Sequence, residues 1–445
     1  MERKPKQASP PEVGDQPRPG WVTEIRTYKV ITPLFGGGEE TQKADSITTV
    51  RASEVRGHLR FWWRATRGGN FKGNLQAMKQ REEEIWGSAA EKGKQGPSNV
   101  VLNLVTKKKG SKFQAVNHKG EKIGNPGHPS SIDGYVAFPL RDAQNPIVLE
   151  KVEFNLEISY KQFIETEGAN KLDIKQDIED SIWAWETFGG IGARTRRGFG
   201  AIQLTHINDK EQTKPNGVQV IKNIENKLAA YKNHSLDWPA GVPHLSRKFG
   251  LKFLEQQNGI DAWRYNTKKL RDFRQSFRSL KNKQPRGRTQ WPEPDSIRVL
   301  LHNAGKYTYQ IHIPTDNVIG KFPRAKFGLP IQFEFPDKSK RDPDTTKLQG
   351  VKLPGSENRF IDRLASPLIL RSLECSDGAL CIGLVLDYKP VANEENYTPP
   401  GGLVLSGKDY GNFQVFSDLN SSEAEKIPPL NGKTDILQAF LDYLK

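Results

Sequence analysis

The sequence predicts an α+β protein of two domains, and three observations support this prediction. The chain has 445 residues, which is long enough for two or three separate cores. Within residues 21–212, strand-like and helix-like segments follow one another in the order β-α-β-β-α-β, the order of the ferredoxin-like, or RRM-like, unit. From about residue 215 a second set of helix-like and strand-like segments begins, which favours a second α+β domain, residues 213–445.

The six elements of the first domain are predicted from hydrophobic periodicity. The third strand shows it best, because Val152, Phe154, Leu156 and Ile158 alternate with polar residues. Ser53 is a suitable N-cap for the first helix, which a second helical segment at 74–86 follows. The elements in order are VTEIRTYKVI (22–31), a helix from Ser53, VVLNLVT (100–106), VEFNLEISY (152–160), a helix within DIKQDIEDSIWAWETFGG (173–190) and GFGAIQL (198–204).

The second domain is predicted from helical and strand-like runs separated by a polar loop near 337–358. Three runs have helical spacing: 217–234, 263–283 and 433–445. Five others are short, apolar and rich in β-branched residues, as strands are. These five are SIRVLLHN (296–303), YTYQIHIP (307–314), LPIQFEF (329–335), SPLILRSL (366–373) and ALCIGLVLDY (379–388).

Charge and composition favour a polyanionic partner. Lys and Arg number 67 against 52 Asp and Glu, a formal charge of +15, and each phosphate that such a protein neutralises releases counterions. A membrane partner is not expected, because the sequence has no Lys-rich amphipathic anchor and no long apolar run. Cys375 and Cys381 are expected to be reduced core thiols of a cytoplasmic protein. Residues 1–20 are expected to form a disordered leader, and 107–134 a basic insertion.

The first candidate site is the arginine-rich helix EVRGHLRFWWRATRGG (54–69). Val55, Leu59 and Trp62 share its apolar side, and Trp63 lies nearer the basic row, where it is a candidate for stacking on a base. Like charges at this spacing destabilise an isolated helix, so the row predicts a bound anion. The alternative is a basic face with acidic neighbours elsewhere in the fold. The row consists of Arg56, Arg60, Arg64 and Arg67.

The second candidate site is the loop FGGIGARTRRGFG (188–200), which lies between a helix and a strand. Glycines allow backbone amides to approach a phosphate, and arginines supply the charge. The order helix-loop-strand excludes a Rossmann fingerprint, and the missing Gly-Lys-Ser/Thr excludes a Walker loop. A plain glycine-rich connection is the alternative. The candidate residues are Gly189, Gly190, Gly192, Arg194, Arg196 and Arg197.

The third candidate site is the basic run at residues 263–288, which has ten basic residues and a single acid, Asp272. Arg271, Arg274 and Arg278 run beside an apolar stripe, so they are candidates for RNA contact. The alternative is a solvated face that covers the core of the second domain.

Histidine and carboxylate patterns give little support for catalysis or for a metal or other cofactor. No HExxH, paired-cysteine or DxD motif is present in the sequence. His58 lies on the arginine-rich helix and is the best candidate for a general base, although the sequence shows no partner for it. A structural role is the alternative for this residue.

Five stretches together resemble a known family. They are ITPLFGGG (31–38), RASEVRGHLRFWWRA (51–65), FGGIGARTRRGFG (188–200), FGLPI (327–331) and RLASPLILR (363–371). In this combination they are similar to the first subunit of type III-B CRISPR (Cmr) effector complexes, within the RAMP superfamily. The stretches span both predicted domains, and the tryptophan-containing helix and the Gly-Arg loop are the most specific of them.

The resemblance implies two ferredoxin-like domains in tandem and a non-catalytic subunit without a cofactor. It implies binding of guide RNA near its 3′ region, capture of single-stranded target RNA for antiviral defence, and contact with other RAMP subunits. Arg51 joins the arginines and glycines above as a candidate for RNA contact. Two alternatives remain: a metal-independent RAMP endoribonuclease that processes guide precursors with His58 as base, and a structural cap whose basic faces meet acidic subunits.

Overall fold

The fold is taken from a computed structural model, which describes most of the chain. The predicted leader up to residue 17, most of the basic insertion (114–134) and Arg278 lie outside the described residues. The described residues are 18–45, 47–88, 97–113, 135–140, 146–166, 171–232, 237–277, 288–309, 313–314, 318–335, 342–352, 360–361, 363–388, 402–407 and 410–445.

The described part of the chain forms eight α-helices and seventeen β-strands. The helices are α1 (Ala52–Arg67), α2 (Leu75–Trp86), α3 (Lys175–Phe188), α4 (Gly217–Lys232), α5 (Gly259–Arg274), α6 (Glu293–Asn303), α7 (Ser421–Glu425) and α8 (Ile436–Leu444). The strands are β1 (Trp21–Val30), β2 (Val100–Lys108), β3 (Ser111–Lys112), β4 (Leu149–Glu150), β5 (Glu153–Lys161), β6 (Phe163–Glu165), β7 (Lys171–Asp173), β8 (Ile202–Ile207), β9 (Lys210–Glu211), β10 (Phe249–Glu255), β11 (Ile331–Phe333), β12 (Thr346–Val351), β13 (Phe360–Ile361), β14 (Leu368–Glu374), β15 (Gly378–Val385), β16 (Leu403–Gly407) and β17 (Tyr410–Val415).

The first half of the chain contains the predicted order β-α-β-β-α-β. Its main sheet is antiparallel, with strand order β2-β5-β1-β8-β9. Phe154, Leu156 and Ile158 on β5 are buried, as their alternation predicts. Helices α1 and α3 pack against each other on this face of the sheet, where Tyr28 lies 5.4 Å from Trp185 between ring centroids. One sheet face is therefore covered by helices.

The start of α1 differs from the prediction. The helix begins at Ala52, so Ser53 lies in its first turn and is not the N-cap. Arg51 occupies the N-cap position with extended backbone angles and makes no side-chain capping bond. Helix α2 matches the predicted helical segment at 74–86. Asn74 is its N-cap and accepts a hydrogen bond from the amide of Ala77, and Gly87 follows its last residue.

The second half of the chain is an α+β arrangement with two antiparallel sheets. The first has the order β10-β15-β14, and α5 and α8 pack against it. Its elements follow one another as β-α-β-β-α, so in the described residues this sheet has three strands where a complete ferredoxin-like unit has four. The second sheet has the order β11-β12-β16-β17, with β13 on β12. The coarse prediction, an α+β fold with antiparallel sheets, is confirmed.

Several element predictions in the second half are wrong. SIRVLLHN lies in helix α6, because Ile297 and Leu301 are buried four residues apart, a helical spacing. The predicted loop 337–358 contains β12, and the predicted helix 263–283 ends at Arg274. Of 307–314, the described residues form no strand. Strands β10, β16 and β17 have no counterpart in the prediction.

The two halves share one hydrophobic core at the place where they meet, which we call the junction. Tyr28 and Trp185 from the first half lie in one cluster with Leu380 and Ile382 of β15. Arg371 of β14 is fully buried there, and it donates hydrogen bonds to the carbonyl oxygens of Glu186 (2.9 Å) and Ile202 (2.6 Å). Among the described residues, none of the helices has both the length and the apolar character that crossing a bilayer requires.

Candidate nucleic-acid interface

The Gly-Arg loop, residues 188–200, lies at the junction. It contacts the segment after β1 on one side and the edge of β14 on the other. The amide of Gly200 donates to Pro33 O (2.8 Å), and the amide of Ala193 donates to Phe35 O (2.7 Å). On the other side, the amide of Leu370 donates to Arg196 O (3.1 Å). These contacts join the loop to two more of the five stretches that carry the family resemblance, 31–38 and 363–371.

The glycines of this loop are required by close packing. Gly192 has φ +80°, and a Cβ there would lie 2.4 Å from Leu34 Cδ1. Gly200 has φ +60°, and its Cβ would lie 1.8 Å from Ile191 O. At Gly189 a Cβ would lie 2.5 Å from the Trp185 ring, and at Gly190 2.8 Å from Gly200 O.

Several amides of the loop are already used within the chain. The amide of Gly192 donates to the Glu54 carboxylate, and those of Gly189, Gly198 and Gly200 donate to backbone carbonyls. The predicted nest of free glycine amides is therefore wrong at these positions. The glycines shape the loop, and any attraction for an anion must come from its side chains.

The three arginines of the loop are positioned by backbone carbonyl groups. Arg194 donates to Val136 O, and Arg196 donates to Ser366 O. The guanidinium of Arg197 lies 3.4 Å from both Leu368 O and Phe327 O. Carbonyl oxygens orient these side chains but leave their full positive charge in place.

Two arginines from the second half complete what we call the junction cluster. Arg274 lies over the rings of Phe327 (5.3 Å) and Tyr135 (5.9 Å), and its buried Nε has no hydrogen-bond partner. Arg363 is exposed and lies close enough to Arg194 to repel it. The cluster consists of Arg194, Arg196, Arg197, Arg274 and Arg363.

The electrostatics of the cluster favour an added anion. Burial, followed by repulsion from Arg363 and Arg274, lowers the pKa of Arg194 to about 10. Burial, followed by repulsion from neighbouring arginines, lowers the pKa of Arg197 to about 9. A guanidinium keeps its proton in proteins, so these lowered pKa values report positive charge that is poorly compensated. Within the described part of the chain, no ion pair to a carboxylate is formed by Arg194, Arg197, Arg274 or Arg363.

The arginine row of α1 has a different environment, and here the alternative interpretation is correct. Arg60 and Arg64 both bind Glu82, at 2.7 and 2.6 Å. Arg67 lies 3.5 Å from Asp177 and 3.3 Å from Asp180. The counter-anions of this row are thus carboxylates of the same chain.

Arg56 holds α1 to the start of β2. It donates to Ser98 Oγ (2.8 Å) and to Val100 O (3.0 Å), and burial lowers its pKa. Its role in the described fold is therefore structural, like that of the other arginines in the row.

The remaining candidates are dispersed. Trp63 is fully buried and its indole N–H donates to Asp177 at 2.7 Å, so the prediction that it stacks on a base is wrong. Trp62 is buried in the core, as predicted. Arg51 has a buried Nε without a hydrogen-bond partner, and Arg271 pairs with Asp272 at 3.1 Å.

His58 has an acidic neighbour that the sequence did not reveal. Its Nε2 lies 3.7 Å from Glu54 Oε1, the carboxylate that also accepts from the Gly192 amide. In the part of the chain that the structure describes, no group of His, Cys, Asp and Glu side chains is arranged to hold a metal ion.

The uncovered face of the first sheet is mostly polar. It carries Trp21 at the start of β1, with the guanidinium of Arg18 over its ring, where an RRM has aromatic rings that stack two or three bases. Thr23 and Ser159 share a hydrogen bond of 2.9 Å, and Thr27 donates to Asn155 at 3.0 Å. Glu157 adds negative charge to this face. Because this face is mostly polar and carries an acidic side chain, the junction cluster is the better candidate.

Sequence reasoning missed three parts of this site. Arg363 and Arg371 are the first and last residues of RLASPLILR (363–371), which contributes to the family resemblance. These two arginines could have been predicted as candidate site residues from the sequence. Tyr135 follows the basic insertion and carried no signal of its own. All three are brought to the Gly-Arg loop by tertiary packing.

Comparison with known proteins adds to this geometry. Residues 27–203 match the profile of the RAMP superfamily. The chain is also 25% identical, over 189 residues, to the CRISPR system Cmr subunit Cmr1-2 of Pyrococcus furiosus; the alignment covers 42% of this chain and 96% of the relative. The resemblance that the sequence motifs indicate is thereby confirmed.

Two solved structures match this chain at low identity and with TM-scores below 0.5. The crystal structure of Cmr1 from Pyrococcus furiosus in its apo form has a TM-score of 0.47 and 14% identity, covering 85% of this chain and 92% of that chain. A chain in the cryo-EM structure of the type III-B Cmr-beta complex bound to cognate target RNA has a TM-score of 0.46 and 13% identity, covering 82% and 94%.

Proposed function

We propose that this chain is a non-catalytic RNA-binding subunit of a type III-B CRISPR effector complex in the cytoplasm. The observation that carries the proposal is the junction cluster, in which arginines from both halves lie together and four of them, Arg194, Arg197, Arg274 and Arg363, form no ion pair to a carboxylate among the described residues. The RAMP match of residues 27–203 and the Cmr relative supply the biological setting. In this role the chain contacts guide RNA near its 3′ region, captures single-stranded target RNA and adjoins other RAMP subunits.

The chemistry of the cluster suits a ribose-phosphate backbone. Guanidinium groups bind phosphate oxygens in a bidentate manner and do not read sequence. Base pairing between guide and target would then supply specificity, as in other RNA-guided systems. Of the candidates taken from the sequence, Arg194, Arg196, Arg197 and Arg274 keep their proposed contact with RNA, and Arg363 is added to them.

We also propose that the domains are residues 21–212 and 213–445, each built on a ferredoxin-like pattern. The first has the complete antiparallel strand order, and the second has three strands of it in the described residues. The Gly-Arg loop connects α3 to β8 within the first domain, whereas β14 belongs to the second domain. An RNA strand bound at the junction would therefore touch both domains.

Ultraviolet crosslinking to single-stranded RNA, followed by peptide mapping, tests the proposal. We expect crosslinked peptides from residues 188–200, from the end of α5 and from the stretch before β14. Arg194→Gln should reduce both the yield and the affinity severalfold. Arg81→Gln is a matched control, because Arg81 pairs with Glu84 at 2.8 Å on α2, and it should bind as the wild type does. Crosslinks confined to the uncovered sheet face would contradict the proposal.

The rival function, a metal-independent endoribonuclease, has one observation in its favour, the His58–Glu54 pair beside the Gly-Arg loop. Incubation of the protein with CRISPR repeat RNA in EDTA separates the two functions. A non-catalytic subunit leaves the RNA intact, whereas specific cleavage that His58→Ala abolishes would establish the nuclease. A purely structural cap would give protein-protein crosslinks and few RNA adducts.

A further inference from the structure

The Gly-Arg loop is also an edge of the second half's sheet. Arg197 forms a parallel β-bridge with Leu370, and the Leu370 amide donates to Arg196 O at 3.1 Å. Because β14 is the outer strand of the β10-β15-β14 sheet, residues 196–197 join the edge of that sheet through a single parallel bridge. A change in the position of this loop must therefore change how the second half's sheet meets the first half.

The charges of the junction cluster come from both sides of this contact. Arg194, Arg196 and Arg197 belong to the loop, whereas Arg274 ends α5 and Arg363 precedes β14. Arg274 repels Arg194 and Arg197, and Arg363 repels Arg194. Docking of the halves thus brings like charges together in a partly buried place, where water screens them poorly.

Other contacts hold the halves together against this repulsion. The shared hydrophobic cluster and the buried bonds of Arg371 to Glu186 O and Ile202 O cross the junction. Trp263 of α5 donates to Arg197 O at 3.1 Å. The junction is therefore closed by apolar and neutral contacts, while its charged rim opposes closure.

We propose that a phosphate group bound to the junction cluster fastens the second half to the first, so that anion binding and docking stabilise each other. The binding site is complete only when both halves are docked, because each half supplies part of its positive charge. The source of the phosphate, an RNA backbone, rests on the proposed function, whereas the coupling rests on the junction alone. By linkage, a ligand that binds only the docked arrangement must favour it.

Hydrogen-deuterium exchange of the full chain with sodium tripolyphosphate tests this coupling, with sodium chloride at matched ionic strength as reference. We expect severalfold slower exchange in β14 and in residues 193–200, and an unchanged rate in β2, which lies at the far edge of the first sheet. Arg363→Gln should remove the effect without unfolding the protein, because that side chain is exposed. Arg81→Gln should retain it.

The outcomes separate the coupling from the proposed function. Equal protection of β2 and β14, or full protection in Arg363→Gln, would overturn the coupling. RNA binding that leaves β14 exchange unchanged would also overturn it and would leave the RNA-binding role standing. Protection by tripolyphosphate in a protein that binds no RNA would support the coupling and refute the RNA-binding role.

Discussion

Replacement of Glu82 by glutamine tests whether the arginine row of α1 is structural. The Glu82 side chain is 7% exposed and accepts from Arg60 and Arg64 at 2.7 and 2.6 Å. Each charge-assisted bond contributes roughly 1.5–3 kcal/mol, and removal of a buried charge leaves its partners uncompensated. Glutamine keeps one acceptor oxygen, and both arginines are about one-third exposed and can rehydrate. We therefore expect Glu82→Gln to lower the free energy of unfolding by about 2–4 kcal/mol.

Urea unfolding followed by tryptophan fluorescence measures this loss, since Trp62, Trp63 and Trp86 lie in the same core cluster. Glu83→Gln is the matched control on the same helix. Glu83 lies 3.7 Å from Lys79 in an exposed pair, and its replacement should change the free energy of unfolding by less than about 0.5 kcal/mol. If the two variants were equally stable, the structural assignment of the row would be refuted.

Three further predictions concern the loop, acid stability and the thiols. Gly200→Ala should prevent the loop from closing and lower stability by more than about 2 kcal/mol, because φ is +60° and the new Cβ would lie 1.8 Å from Ile191 O; a wild-type thermal midpoint would refute this. Burial lowers the pKa of His244 below its usual 6.5. Because the unfolded chain then binds a proton more readily than the folded chain, the free energy of unfolding should fall as pH drops below 6.5. Urea unfolding at a series of pH values should show a shallower fall in His244→Gln. Burial raises the pKa of Cys381 to about 12 and that of Cys375 to about 11. Ellman's reagent should therefore react with neither thiol in the folded protein and with both in guanidinium chloride. Fast reaction in the folded protein would contradict the buried placement of the thiols.

The first half of the fold was predictable because its elements are local. Alternation on β5 and helical spacing in α3 are short-range patterns that a single sequence displays. The second half was predicted less well because the local signals conflict with the tertiary context. SIRVLLHN has strand-like composition, yet Ile297 and Leu301 face the core of a helix.

The candidate site was only partly predictable, because residues distant in the sequence decide which arginines have a carboxylate partner. Arg60 and Arg64 share the carboxylate of Glu82, which lies on the next helix, and Arg67 pairs with residues more than 100 positions away. A helical wheel placed Trp63 near the basic row, whereas packing against α3 buries it. The Gly-Arg loop was visible, since glycine and arginine were dense in one short segment, but its partner Arg363 required the fold.

The dependence of RNA affinity on salt tests the central claim most directly. Binding of a single-stranded RNA is measured by fluorescence anisotropy over a range of potassium chloride concentrations, for wild type, Arg81→Gln and the double variant Arg194→Gln with Arg363→Gln. Each lost contact to a single-strand phosphate reduces the slope of log K against log salt by about 0.7, so the double variant should show a slope smaller by roughly 1.4. Arg81→Gln should keep the wild-type slope. A double variant with unchanged affinity and slope would contradict the account.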